Sequence, residues 1–162
     1  MIIIVMGVAG SGKTTIGRRL AERLGWPFYD GDDFHPPANI EKMSHGIPLN
    51  DDDRSNWLSA LAALIREQLA NGRSAVVACS ALKQHYRDQL RINDQVRFVY
   101  LKGSYQVIWQ RLQARSGHYM KAALLASQFA TLEEPSDALT VSIEQPEEQV
   151  VEQIWQGILR EE

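Results

Sequence analysis

Short apolar runs alternate with longer amphipathic segments along the chain, and this alternation predicts a parallel sheet covered by helices. Ile2-Ile3-Ile4-Val5-Met6 is apolar at every position, as a strand buried on both faces requires. Helical spacing follows over 13–24, with Ile16, Leu20 and Leu24 on one face and Gly25 placed to end it as a left-handed cap. Pro27-Phe28-Tyr29, ending at Asp30, predicts a short second strand. After Asn50, a good N-cap, Trp57, Leu58, Leu61, Leu64, Ile65 and Leu69 give the apolar stripe of a long helix. Asp51, Asp52 and Asp53 suit the positive end of its dipole, and Asn71-Gly72 stops it. Residues 74–79, 96–101 and 139–143 predict three more strands. Helices are predicted over 105–115 and 121–132, and a last one begins at Pro146, with Val150, Val151, Ile154, Trp155, Ile158 and Leu159 toward the sheet. Five strands with interleaved helices predict one compact three-layer α/β/α domain over 1–162.

Composition narrows the classes. Of 162 residues, 44% are hydrophobic and 23% charged, an ordinary globular balance. The net charge of −3 argues against a general nucleic-acid or membrane-surface binder, so any anion site must be local. The longest apolar run near the N-terminus is about five residues, far short of a signal-peptide core or a membrane span. A single cysteine, Cys79, rules out an intrachain disulfide and points to a reducing cytoplasm. The histidines show no zinc-ligand spacing with it.

Gly7 to Thr14 reads G-V-A-G-S-G-K-T, the phosphate-loop pattern G-x-x-x-x-G-K-[ST], between the first strand and the first helix. Glycines let successive N–H groups turn toward an anion, and the helix aims its positive end at the same point. Gly7, Ala9, Gly10, Ser11, Gly12, Lys13, Thr14 and Thr15 are therefore the candidate nucleotide contacts. Lys13 would reach the β- and γ-phosphates of ATP, and the Thr14 hydroxyl would ligate Mg²⁺. Ligands on such a sheet bind beyond the carboxyl ends of the strands, where Asp30-Gly31-Asp32-Asp33-Phe34-His35-Pro36 also falls. Phosphoryl transfer to a hydroxyl needs one carboxylate to accept its proton and another to help hold the metal. Asp32 is the candidate base and Asp30 the candidate metal-side acid.

Gly46 and Pro48 break the stretch 39–58 into two helical pieces joined by a loop able to cover an acceptor, which Lys42, His45 and Arg54 could contact. Arg111 and Arg115 lie one turn apart on a helix face ahead of Gly117 and His118, as in a lid closing on transferring phosphate. Lys83 and Arg87 follow the third strand at its ligand end and could meet an acidic substrate. Cys79 reads as a buried core residue. A guanine-nucleotide switch would need D-x-x-G and N-K-x-D segments, and neither occurs.

These segments together resemble the gluconokinases, P-loop kinases related to the shikimate kinases. The matching stretches are G-V-A-G-S-G-K-T-T, D-G-D-D-F-H-P, N-x-x-K-M-x-x-G-I-P-L-N-D-x-D-R-x-x-W-L, C-S-A-L-K-x-x-Y-R-D-x-L-R, and H-Y-M followed by S-Q-F-x-T-L-E-x-P. They run from Gly7 to Pro135, and the last three are the specific ones. The resemblance implies the strand order 2-3-1-4-5 and the reaction of ATP with D-gluconate, with Mg²⁺, to give 6-phosphogluconate and ADP. It implies a homodimer, an acceptor region over about 30–58 and a lid over about 111–135. It places adenine between Arg111 and the turn at Gln145-Pro146, and His35 and His118 on the acceptor side. The substrate carboxylate needs a cation, for which Arg54, Lys83 and Arg87 are candidates. Another small-molecule kinase of the shikimate-kinase type is the nearest alternative, although those enzymes carry a glycine run where this chain has Cys79-Ser80-Ala81.

Overall fold

The computed structural model describes residues 1–114 and 122–159. Five parallel strands, β1 (Ile2–Met6), β2 (Phe28–Asp30), β3 (Ala75–Ala78), β4 (Val96–Lys102) and β5 (Leu139–Ser142), form one sheet in the order β2-β3-β1-β4-β5. The helices are α1 (Lys13–Leu24), α2 (Pro37–Ser44), α3 (Asp51–Ala70), α4 (Gln84–Leu90), α5 (Tyr105–Ala114), α6 (Ala122–Thr131) and α7 (Glu147–Leu159). The strand order is the one the resemblance implied. No helix among the described residues is long and apolar enough to cross a membrane.

The period of two along β1 divides the core. Ile3 and Val5 join Val76, Val99 and Leu101 in a cluster closed by Ile16 and Leu20 of α1 and by Val150, Ile154 and Ile158 of α7. Ile2, Ile4 and Met6 face the other way, onto Val77, Phe98, Tyr100 and the Trp57, Leu61 and Ile65 stripe of α3. Each such fully buried side chain contributes about 1.5–3 kcal/mol, so both layers are held by the continuous apolar reading of β1. Asn50 caps α3 as expected: its side chain accepts from Asp53 N–H, and the Asp53 carboxylate accepts from Asn50 N–H. Gly25 closes α1 at φ 71°.

The structure departs from the sequence reading at a few ends. Pro146 stands just before α7, its carbonyl accepting the first helical bonds from Gln149 and Val150. Residues 31–34 form a 3-10 turn, and α2 occupies 37–44 before the loop at Gly46 and Pro48. β1 and β4 are neighbours whose continuations leave in opposite directions, toward β2 and toward β5. A crevice opens at such a switch point, and the phosphate loop lies in it.

Candidate active site

The phosphate loop is shaped by glycines in the left-handed half of backbone space. Gly10 and Gly12 have φ of 80° and 97°, conformations that side chains resist. A Cβ on Gly10 would also lie 2.7 Å from Leu112 Cγ. No side chain caps α1, and among the described residues Gly10 N–H and Gly12 N–H meet no protein acceptor. These donors, with the first turn of α1 behind them, fit a polyphosphate. Lys13 Nζ donates to Val8 O at 3.1 Å, which folds the ammonium back along the loop.

The end of β2 is tied to this loop. Thr14 Oγ1 donates to Asp30 Oδ2 at 3.0 Å, while Asp30 Oδ1 accepts from Asp32 N–H at 3.0 Å and so starts the 3-10 turn. A Cβ on Gly31 would lie 2.4 Å from Ala78 O, so only glycine lets the turn cross the end of β3 this closely. The Thr14 hydroxyl and the Asp30 carboxylate thus present adjacent oxygens suited to a hard cation. Among the described residues no cluster of three or more His, Cys, Asp or Glu could hold a metal by itself. Asp32 projects into the cleft with its side chain 74% exposed.

Opposite lies a wall assembled from distant parts of the chain. Trp57 Nε1 donates to Gly31 O at 2.7 Å, and His35 stacks on the Trp57 indole with ring centroids 4.3 Å apart. The His35 side chain is only 5% exposed, and burial lowers its pKa; Asp32 opposes that shift and Arg54 adds to it. Arg54 NH1 donates to Tyr86 Oη at 2.9 Å, and Tyr86 Oη donates to Asp51 Oδ1, which also accepts from Lys83 Nζ at 3.0 Å. The Tyr86 and Lys83 hydrogen bonds hold the Asp51 carboxyl below its usual pKa, and burial with the same bond pushes the Tyr86 phenol up. Arg54 is thereby held at NH1 while it lines the cleft.

One cleft of about 490 Å³ brings together Ala9, Gly10, Gly12, Lys13, Thr14, Thr15, Asp30, Asp32, His35 and Arg54, with Met43, Pro48 and Leu49 as an apolar edge. A second groove of about 420 Å³ joins Ser11, Arg111, Gln145 and Pro146 beside the same loop. Arg111 NH2 donates to Ile143 O at 2.6 Å, which sets its guanidinium across that groove. Four other sequence candidates lie elsewhere. His45 closes the end of α2, its Nδ1 2.8 Å from Glu41 O. Lys42 is held by both Asp53 oxygens, at 2.9 and 3.0 Å, and staples α2 to α3. Lys83 is taken by Asp51 outside the cleft. Arg87 is 1% exposed and donates to Ala81 O, Glu133 O and Gln84 Oε1, clamping the loop after β3 to the segment after α6. Lys83 and Arg87 follow one another on a helix in sequence, but the burial of α4 turns them to different partners. Cys79 is buried, and burial pushes its thiol up to about 12, as a core residue requires. Arg115 and His118 lie outside the described residues.

Sequence reasoning missed Gln128 as a site residue. Its Oε1 accepts from Ala9 N–H at 2.7 Å, and its side chain lines the cleft, so α6 is pinned to the phosphate loop across 119 residues. The signal was present in the S-Q-F of the fifth matching stretch.

Known proteins agree with this geometry. The family model for shikimate kinase matches residues 9–159. The chain is 50% identical over 156 residues to a gluconokinase of Gluconobacter oxydans, covering 94% of this chain and 88% of that one. It is 48% identical over 155 residues to the thermoresistant gluconokinase of Escherichia coli, covering 93% and 89%. A gluconokinase structure from Sinorhizobium meliloti superposes with a TM-score of 0.88 at 46% identity over 98% of this chain and 91% of that one. A shikimate kinase of Aquifex aeolicus shares the fold at 18% identity, with a TM-score of 0.67 over 98% and 96%. With the family model spanning both the phosphate loop and α7, and with relatives near half identical over most of their length, the chain belongs to the gluconokinases of the shikimate kinase family.

Proposed function

We propose that the chain transfers the γ-phosphoryl group of ATP to the 6-hydroxyl of D-gluconate, giving 6-phosphogluconate and ADP. The observation that carries this reading is the single cleft in which Lys13 and Thr14 stand across from Asp32 and Arg54. A phosphate donor held by the loop and a hydroxyl held by the far wall would meet beside Asp32. The bond from the 6-oxygen to phosphorus forms, the bond from phosphorus to the β-phosphate oxygen breaks, and the hydroxyl proton goes to the Asp32 carboxylate. Asp32 is exposed in the free protein and can turn toward the arriving hydroxyl.

Lys13 balances charge on the transferring group, its ammonium already held beside the loop at Val8 O. Thr14 and Asp30 would hold Mg²⁺, which supplies charge neutralisation on the phosphates. Adenine lies in the groove between Arg111 and Pro146; of the candidates outside the described residues, Arg115 would act on the transferring phosphate and His118 on gluconate. Of the three candidate cations for the gluconate carboxylate, Arg54 is the one that lines the cleft, and its anchoring by Tyr86 preorganises the fork for a bidentate pair. Lys42, Lys83 and Arg87 shape that wall through their protein partners. Family resemblance supports a homodimer, which sedimentation would test, and the lone buried cysteine suits a reducing cytoplasm.

The test is ATP-dependent phosphorylation across D-gluconate, shikimate and AMP with product identified by mass and position. Transfer to the 6-hydroxyl of gluconate, with shikimate and AMP poor acceptors, is expected. Preferred turnover of shikimate or AMP would overturn the reading.

A further inference from the structure

Asn39 is 3% exposed, sits on α2 and does not line the cleft, yet its amide meets a group that does. Its side-chain nitrogen lies 2.7 Å from Asp53 O and 3.2 Å from His35 Nδ1. A backbone carbonyl only accepts, so the atom facing Asp53 O is the NH₂ group, and the amide orientation follows from its partner. One N–H goes to the carbonyl and the other to the imidazole, and His35 Nδ1 must accept. A neutral His35 then carries its proton on Nε2. That Nε2 lies 4.0 Å from Asp32 Oδ1, too far for a direct hydrogen bond. A hydroxyl oxygen about 2.8 Å from each atom fits over this gap with an angle near a right angle, accepting from His35 and donating to Asp32. Stacking on Trp57 keeps the ring from turning away, and the Trp57 indole is itself fixed by Gly31 O.

We propose that Asn39 is a positioning residue that fixes His35 as the Nε2–H tautomer, so that His35 and Asp32 together read the acceptor hydroxyl. The inference rests on the proposed role of Asp32 as the proton acceptor and adds the device that orients the hydroxyl toward it. His35 engages one lone pair of the oxygen, Asp32 takes the proton, and the second lone pair remains for phosphorus. Burial, with the Arg54 charge adding to it, favours the neutral ring that this arrangement needs.

Two measurements test it. In the free protein labelled with ¹⁵N-histidine, the His35 resonances, identified by their loss in His35→Gln, should show the Nε2–H tautomer. Asn39→Asp places an acceptor against Nδ1 and should move the proton there or charge the ring. A wild-type Nδ1–H tautomer, or a mixture of the two, would overturn the proposal. In kinetics with gluconate, His35→Ala should lose on the order of tenfold to a hundredfold in kcat/KM. His35→Gln, whose amide nitrogen reaches as far as Nε2, should recover most of that loss, and His35→Asn, which reaches only as far as Nδ1, should not. Equal loss in the Gln and Ala variants, each folded by circular dichroism, would sink the donor role. An inactive wild-type protein on gluconate would instead sink the functional reading, because the tautomer spectrum needs no substrate.

Discussion

On the phosphate side of the cleft the chain works with backbone: glycines at positive φ, the Gly10 and Gly12 N–H groups that meet no acceptor among the described residues, and the start of α1, all within residues 7–15. On the acceptor side it works with side chains brought from far apart: Trp57 to Gly31 across 26 residues, Arg54 to Tyr86 across 32, Tyr86 to Asp51 across 35. The first kind of site is local and tolerates no change of spacing. The second depends on packing, because Trp57, Arg54 and Tyr86 are buried and their polar groups must find partners in another element. Catalysis at the first wall should therefore fail through single residues, whereas recognition at the second should fail through any buried member of its network.

The largest expected effect is at the seam between the walls. Lys13→Ala and Asp32→Asn should each reduce kcat on the order of 10²–10⁴ while the far-ultraviolet circular dichroism stays that of wild type. Near-normal turnover in Asp32→Asn would remove the base assignment and leave the seam without a proton acceptor. Next comes Arg54→Ala, expected to raise the gluconate KM on the order of tenfold to a hundredfold with the KM for ATP little changed. A comparable rise for ATP would mean that the two walls are not separate in function.

Arg87→Met should show the reverse pattern. It leaves the Ala81 and Glu133 carbonyls unpaired, so stability should fall by about 2–3 kcal/mol in urea unfolding while the folded enzyme keeps its gluconate KM. A raised KM without loss of stability would return Arg87 to the acceptor wall.

Smaller is the pH effect of His35. Its folded-state pKa is lowered, so the unfolded chain takes up the proton first as pH falls through about 6.5. Stability associated with His35 is full above that value and declines as pH drops toward the folded-state pKa. The stability of wild type relative to His35→Gln should accordingly shrink between pH 7 and pH 5, and a gap that widens would contradict the neutral ring. Smallest is Lys83→Ala, which removes an exposed pair with Asp51 and should leave gluconate turnover within about twofold.

The contrast between the walls also explains what could be read from the chain. β1, the phosphate loop and α1 were legible to the residue because each signal is local: an unbroken apolar run, a fixed glycine spacing, a glycine cap. Asp30 and Asp32 were legible as strand-end acids beside that loop. The fate of Arg87 was not, because helical spacing says which residues share a turn and not which buried carbonyls lie beneath them. Gln128 was hidden for a related reason: its partner is a backbone N–H, which no side-chain pattern advertises. Arg54 was one cation of three in the sequence, and its place on the cleft lining was hidden there because it depends on the packing of Tyr86 and Asp51.

The division of labour is tested most directly by kcat/KM on D-gluconate and on D-glucitol, which keeps the hydroxyl chain and lacks the carboxylate, in wild type and in Arg54→Ala. Wild type should prefer gluconate on the order of a hundredfold, and the preference should collapse in Arg54→Ala because the glucitol rate hardly changes. A preference that survives the loss of Arg54 would contradict the assignment of the acceptor wall.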